Sequence, residues 1–178
     1  MVDMAMIQIV RDIVAIFGVI AGFTYYALTV RNANRTRELS LKSQEQALET
    51  RQAQMFYQIF DKFHEPEFFD KFTQIFTWKW TDYDDFIDKY GWKTNPEAWY
   101  SEGSVAAFFE GIGLLVHLKL LDVTLVHGLM FRHVKMFWEK MRPISLEMRK
   151  RLRIPHIDQW VEYLYAELMK HDKEMLMT

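Results

Sequence analysis

Eighteen consecutive uncharged residues, Ile13 to Val30 (IVAIFGVIAGFTYYALTV), constrain this chain more than any other feature. As a helix rising ~1.5 Å per residue the run is roughly 27 Å long, close to the hydrocarbon thickness of a bilayer. Tyr25 and Tyr26 lie near its C-terminal end, where amphipathic rings favour the membrane interface. A buried core helix is the rival reading, but the run reaches the length at which spanning becomes the expectation. A cleaved leader would need a positive n-region, whereas Asp3 and Asp12 accompany a single Arg11 and no clean small-x-small site follows. The sequence therefore predicts one transmembrane helix over about 13–30, within an N-terminal segment 1–30.

The flanks set an orientation. Arg31, Arg35, Arg37 and Lys42 follow the run, while Arg11 alone precedes it. The positive-inside rule then leaves the N-terminus outside and residues 31–178 in the cytoplasm, which places the chain in a cell inner membrane. Gly18 and Gly22 form a small-xxx-small pair that would let a second transmembrane helix approach; the ordinary alternative is a lipid-facing glycine.

Residues 31–54 are polar, free of Pro and Gly, and rich in Arg, Glu, Gln, Leu and Ala, so the helix is expected to continue as a stalk. Leu41, Leu48 and Met55 repeat at seven, too thin a seam for a coiled coil. As a helix the stalk spans about 35 Å. From Met55 the pattern turns strongly apolar, and residues 55–178 read as a soluble helical domain. Half of the chain is hydrophobic and 16% aromatic, ample for a packed core.

Within that domain, Pro66 breaks one helix and opens the next, whose inner face carries Phe69, Phe72, Ile75 and Phe76. Asp82 to Tyr90 reads as a short helix ending at Gly91, and Thr94-Asn95-Pro96 as the turn into another. Ala98 to Leu121 is the most apolar. Between Val105 and Leu121 only Glu110, His117 and Lys119 interrupt it, and that mid-helix Glu argues for a core helix over a second span. Asp122 caps the next helix, with Val123, Val126, Met130, Val134, Phe137 and Met141 at helical spacing. Arg142-Pro143 is expected to end it, with a short basic helix from Ser145 to Arg153 and a last amphipathic helix turning Trp160, Leu164 and Leu168 inward. No period-2 strand is present, so the fold class is all-α.

Phe108-Phe109-Glu110, Leu114-Leu115-Val116, Leu120-Leu121-Asp122 with Leu125-Val126, Phe137-Trp138-Glu139-Lys140 with Arg142-Pro143, and Trp160-Val161-Glu162-Tyr163-Leu164 occur in order. In that order and spacing, residues 108–168 resemble an uncharacterised family, a domain of unknown function of small bacterial proteins with an N-terminal membrane helix. Leu118-Lys119 departs from it, since a Gly or Arg is expected before Leu-Leu-Asp. The resemblance implies membrane anchoring and a helical domain, and no activity.

Few side chains suggest chemistry. Glu110 sits in an apolar helix, and a lone buried carboxylate is unfavourable unless paired or protonated. Arg132 and Arg142 are its expected partners. His117, two turns away at about 10 Å, is too far for a direct hydrogen bond; a pocket beside Glu110 and His117 would mark a ligand site. His127 and His133 lie 120° apart around one helix, and Glu167 with His171 lacks partners, so no metal is expected. A di-iron bundle would need Glu-x-x-His pairs, which the chain lacks. No cysteine excludes disulfides, thiolate zinc sites and iron–sulfur clusters. Gly111-x-Gly113, with no third glycine and no preceding strand, reads as helix packing rather than phosphate binding. Neither a catalytic residue nor a cofactor site is expected.

Charge is uneven. Residues 61–102 hold ten acids against five Lys/Arg, and residues 132–153 hold eight Lys/Arg against two acids. The basic run Arg149-Lys150-Arg151 either complements the acidic stretch or meets an anionic partner. The net charge of −2 argues against nucleic acid. Trp78 and Trp80, with the basic run, are the expected partner surface. The sequence reading is a membrane-tethered helical scaffold or accessory subunit, partnered by the bilayer and by another membrane or cytoplasmic protein, or by itself. The alternative is a membrane-anchored sensor or effector that binds a small ligand or self-associates through its transmembrane helix.

Overall fold

The computed structural model describes residues 4–177, and among these every regular element is helical. The order is α1 (Met4–His64), α2 (Pro66–Thr77), α3 (Tyr83–Tyr90), α4 (Pro96–His117), α5 (Val123–Leu152) and α6 (Gln159–Leu176). The chain divides into two compact units, residues 1–49 and 50–178. The first is the N-terminal part of α1. It contains residues 13–30, long and apolar enough to cross a membrane, and none of that window is buried by protein.

The second unit begins with the last turns of α1, which bury Phe56 and Phe63. Phe63 is fully enclosed, with the rings of Phe69, Phe72, Phe108 and His133 at centroid distances of 5.7, 5.2, 5.8 and 4.9 Å. Pro66 opens α2 as expected, and α2 buries Phe72 and Ile75. Asp82 caps α3 by accepting from the Asp85 N–H at 2.9 Å, while the Asp85 carboxylate accepts from the Thr81 N–H at 2.9 Å. Asn95 caps α4 through the Ala98 N–H, and Asp122 caps α5 through the Thr124 N–H. Asp82, Asn95 and Asp122 each satisfy a donor that the first helical turn leaves free.

α4 supplies the centre of the unit with Val105, Phe109, Ile112 and Val116, and packs on α2 and α6. Its end requires the left-handed region at Lys119 (φ 58°), from which the N–H groups of Leu120 and Leu121 turn back to the Leu115 carbonyl at 3.0 and 3.2 Å. Glycine normally fills such a position because it lacks the Cβ clash. Lys119 is thus held in a conformation that glycine adopts more readily.

Two expectations need correction. α5 does not end at Arg142-Pro143; it runs unbroken through Pro143 to Leu152. The ring removes the N–H that would bond the Glu139 carbonyl, but Pro143 and Glu139 both lie on the exposed side, where water reaches that carbonyl. On the opposite side Phe137, Trp138, Met141 and Ile144 are buried across the proline, so tertiary packing holds both halves in one helix. In α6 the buried residues are Val161, Leu164 and Leu168, whereas Trp160 is only half-buried.

Candidate functional site

The densest polar cluster lies where α4, α5 and the start of α6 meet. Asp158 precedes α6 in the left-handed region (φ 52°) and makes no capping bond with its own side chain. Glu110 of α4 takes that part. Its Oε1 accepts from the N–H groups of Trp160 at 2.9 Å and Val161 at 3.2 Å. The expected pairing of Glu110 with Arg132 or Arg142 is thus replaced by backbone donors, and both arginines are exposed. Burial pushes the Glu110 carboxyl up, and the two N–H bonds oppose that rise. A carboxylate at a helix N-terminus also interacts favourably with the helix dipole.

α4 and α6 come close enough for this bond because Gly113 has no side chain. A Cβ there would stand 2.1 Å from the Trp160 carbonyl oxygen. Gly111 has open space around it, so of the two glycines only Gly113 serves the packing. His117 lies one turn further along, exposed, with its ring 4.6 Å from Trp160 and 5.1 Å from Tyr163. Glu110 and His117 therefore both address the first turns of α6 and do not touch each other.

Arg149 of α5 ties the incoming loop. Its Nε donates to the Ile157 carbonyl at 2.7 Å and Nη1 to Glu162 at 2.6 Å, while Nη2 is buried without a partner. Two carboxyls share this neighbourhood. Burial pushes Glu102 up to about 8, with the Asp158 charge adding to the rise. Burial raises Asp158 as well, relieved by the Ser145 hydroxyl and by Arg149. Glu102 and Asp158 escaped the sequence reading. Glu102 resembles any helix-surface acid, and no local pattern marks the left-handed turn at Asp158.

The Trp78–Trp80 and basic-run surface is also largely internal. Trp78 is buried and stacks on Tyr90 at 4.7 Å, and its carbonyl accepts from Lys140 Nζ at 2.7 Å. Trp80 is half-buried, with the same ammonium 4.3 Å from its ring centroid. Arg151 grips Asp84 with two nitrogens, bonds Glu147 at 3.0 Å and covers the Tyr83 ring. Lys150 projects into solvent, 3.4 Å from Glu147, and Arg151 is exposed beside it despite its ion pairs. The basic run thus meets the acidic stretch within the unit, the first of the two roles open to it.

The histidines separate as their helical angles require. His127 faces α6, 3.1 Å from Asp172 and with its ring 5.1 Å from His171, while His133 packs against Phe63 and Phe72. Among the described residues no group of three or more His, Cys, Asp or Glu is placed to hold a metal ion. The groove beside His117 is an open cleft of 400 Å³ bordered by Gln52, Asp122, Tyr163 and Glu167, and Glu110 does not line it. Comparisons with protein families, with characterised proteins and with solved structures find no match.

Proposed function

We propose that this chain is a membrane-tethered helical docking protein, a scaffold or accessory subunit without catalysis. Its N-terminus lies outside the inner membrane and its second unit in the cytoplasm. The observation that carries the reading is the bare apolar segment of α1, where Ile13, Phe17 and Phe23 are 48%, 68% and 73% exposed. A continuous apolar surface of this extent is not left to water in a soluble protein. Its length matches a bilayer, and the cations at 31, 35, 37 and 42 favour the stated orientation. The expected kinship with small bacterial proteins of this architecture belongs to the same proposal. On the other side, the strained and polar features of the second unit serve its own packing, which suits a rigid binding module.

The test is fractionation with a topology reporter. The chain is expected to remain in the pellet after alkaline carbonate extraction. A C-terminal alkaline phosphatase fusion should be inactive, and a C-terminal fluorescent protein bright. Release by carbonate, or an active phosphatase, would overturn the tether or its orientation respectively. A second reading is self-association through α1, whose exposed Gly18 and Gly22 lie four residues apart and would let a second helix approach closely. Loss of a cross-linked dimer on changing both glycines to Ile would support it.

A further inference from the structure

α5 buries one face, through Val126, Met130, Val134, Phe137 and Met141, and packs on α6 and α3. On the opposite face Leu125, Leu129, Arg132, Met136, Glu139 and Pro143 follow one another at alternating steps of four and three, and all six are exposed. That is the spacing of a coiled-coil seam, which stays on one side of a helix because it recurs every 3.5 residues. Leu125, Leu129 and Met136 are 36%, 54% and 40% exposed, so the stripe is apolar except at two positions.

The two exceptions are charges of opposite sign. Arg132 and Glu139 form no ion pair among the described residues, and Glu139 Oε1 accepts only from the Tyr165 hydroxyl, at 3.3 Å. Seven residues separate them, about 10 Å along the axis, so they cannot reach each other. A second α5 running antiparallel, about a two-fold axis beside Met136, brings each Arg132 opposite the other copy's Glu139. The same register sets the bare backbone of Gly128 opposite the Pro143 ring, Leu125 opposite Leu146, and Met136 against its own copy. A parallel pairing would instead set Arg132 on Arg132 and Glu139 on Glu139, which repel. A two-fold interface must complement itself, residue i meeting j wherever j meets i, and this stripe does so in one direction only.

From this arrangement we infer that the exposed face of α5 is a homodimer interface, on which a second copy of this chain packs antiparallel through two Arg132–Glu139 ion pairs. The inference deepens the docking reading above by naming a second copy as the partner, and it does not depend on a contact at Gly18 and Gly22. From Leu125 to Leu146 the seam covers about 32 Å, or roughly three heptads. A bilayer surface suits this stripe poorly, because it would desolvate both charges without pairing them.

The chain has no cysteine, so single cysteines report the register. In the full chain in non-ionic detergent, Met136→Cys is expected to give a disulfide-linked dimer under mild oxidation. Lys150→Cys is not: it is exposed on the same face, but antiparallel pairing holds its two copies about 44 Å apart. In sedimentation of the cysteine-free chain, Arg132→Glu and Glu139→Arg should each lower the dimerisation constant about tenfold. The double variant Arg132→Glu/Glu139→Arg should restore it, since the exchanged charges pair again. Absence of the Met136→Cys dimer, an equal yield from Lys150→Cys, or a double variant as weak as the single ones would overturn the assignment. Loss of the Met136→Cys link on adding Gly18→Ile/Gly22→Ile would overturn it in favour of α1. All of these positions are exposed, and an unchanged circular dichroism spectrum checks their folding. A chain that resists carbonate extraction yet gives no link at α5 loses this interface while the membrane-tethered docking reading stands.

Discussion

Replacing Glu102 by Gln isolates the consequence of burying a carboxyl beside Asp158. The glutamine keeps the shape of the neutral acid but cannot ionise. In the folded chain Glu102 holds its proton up to about 8, against an ordinary 4.5. The folded state therefore binds more protons than the unfolded state between those values, and stability falls as pH rises through that window. Below it the effect is absent, and above it the loss is complete. A limiting slope of about 1.4 kcal/mol per pH unit accumulates to about 3 kcal/mol at neutrality. Because the residue is partly exposed, solvent screening reduces this to about 1–2 kcal/mol. Thermal unfolding of the full chain in detergent, followed by fluorescence of the buried Trp78 and Trp138, reads the difference. The variant should melt roughly 3–8 °C higher than the parent at pH 8 and within about 1 °C of it at pH 4.5. The same offset at both pH values, or a less stable variant at pH 8, would refute the reasoning.

Four further substitutions probe α4 and the turn that follows it. Gly113→Ala places a Cβ against the Trp160 carbonyl, so it should destabilise the second unit by about 3 kcal/mol in denaturant titration, with Gly111→Ala neutral or slightly stabilising. Glu110→Ala leaves the Trp160 and Val161 N–H groups without their acceptor and should cost about 1–2 kcal/mol; faster amide exchange at those two positions would identify the cause. Lys119→Gly relieves the left-handed turn after α4 and should raise stability by about 1 kcal/mol; a loss would mean that the lysine side chain contributes more than its backbone conformation costs.

What could be read from the sequence was whatever one helix decides for itself. The cap at Asp122 and the break at Pro66 are local chemistry, legible in a few residues, whereas Asp82 and Asn95 were legible as a helix start and a turn rather than as caps. Pro143 was misread for the same reason: the local rule says stop, and the decision came from buried neighbours on both sides of it. Glu110 was recognisable as a carboxyl needing a partner, but its partners are backbone N–H groups of α6, which carry no mark in a side-chain pattern. Trp78 and the arginines at 149 and 151 look like an exposed interface in one dimension. Residues from distant helices, Tyr90, Lys140, Asp84 and Glu162, enclose or pair them instead.

The enclosure of Phe63 also sets a schedule for synthesis. Its neighbours Phe108 and His133 lie far downstream, so the ring has no complete cage until the chain has grown well into α5. At typical elongation speeds this delay is on the order of 4–14 s. Throughout it the phenylalanines between 56 and 76 emerge ahead of the helices that will cover them. Truncations ending before α5 should therefore accumulate as aggregates rather than as partly folded units.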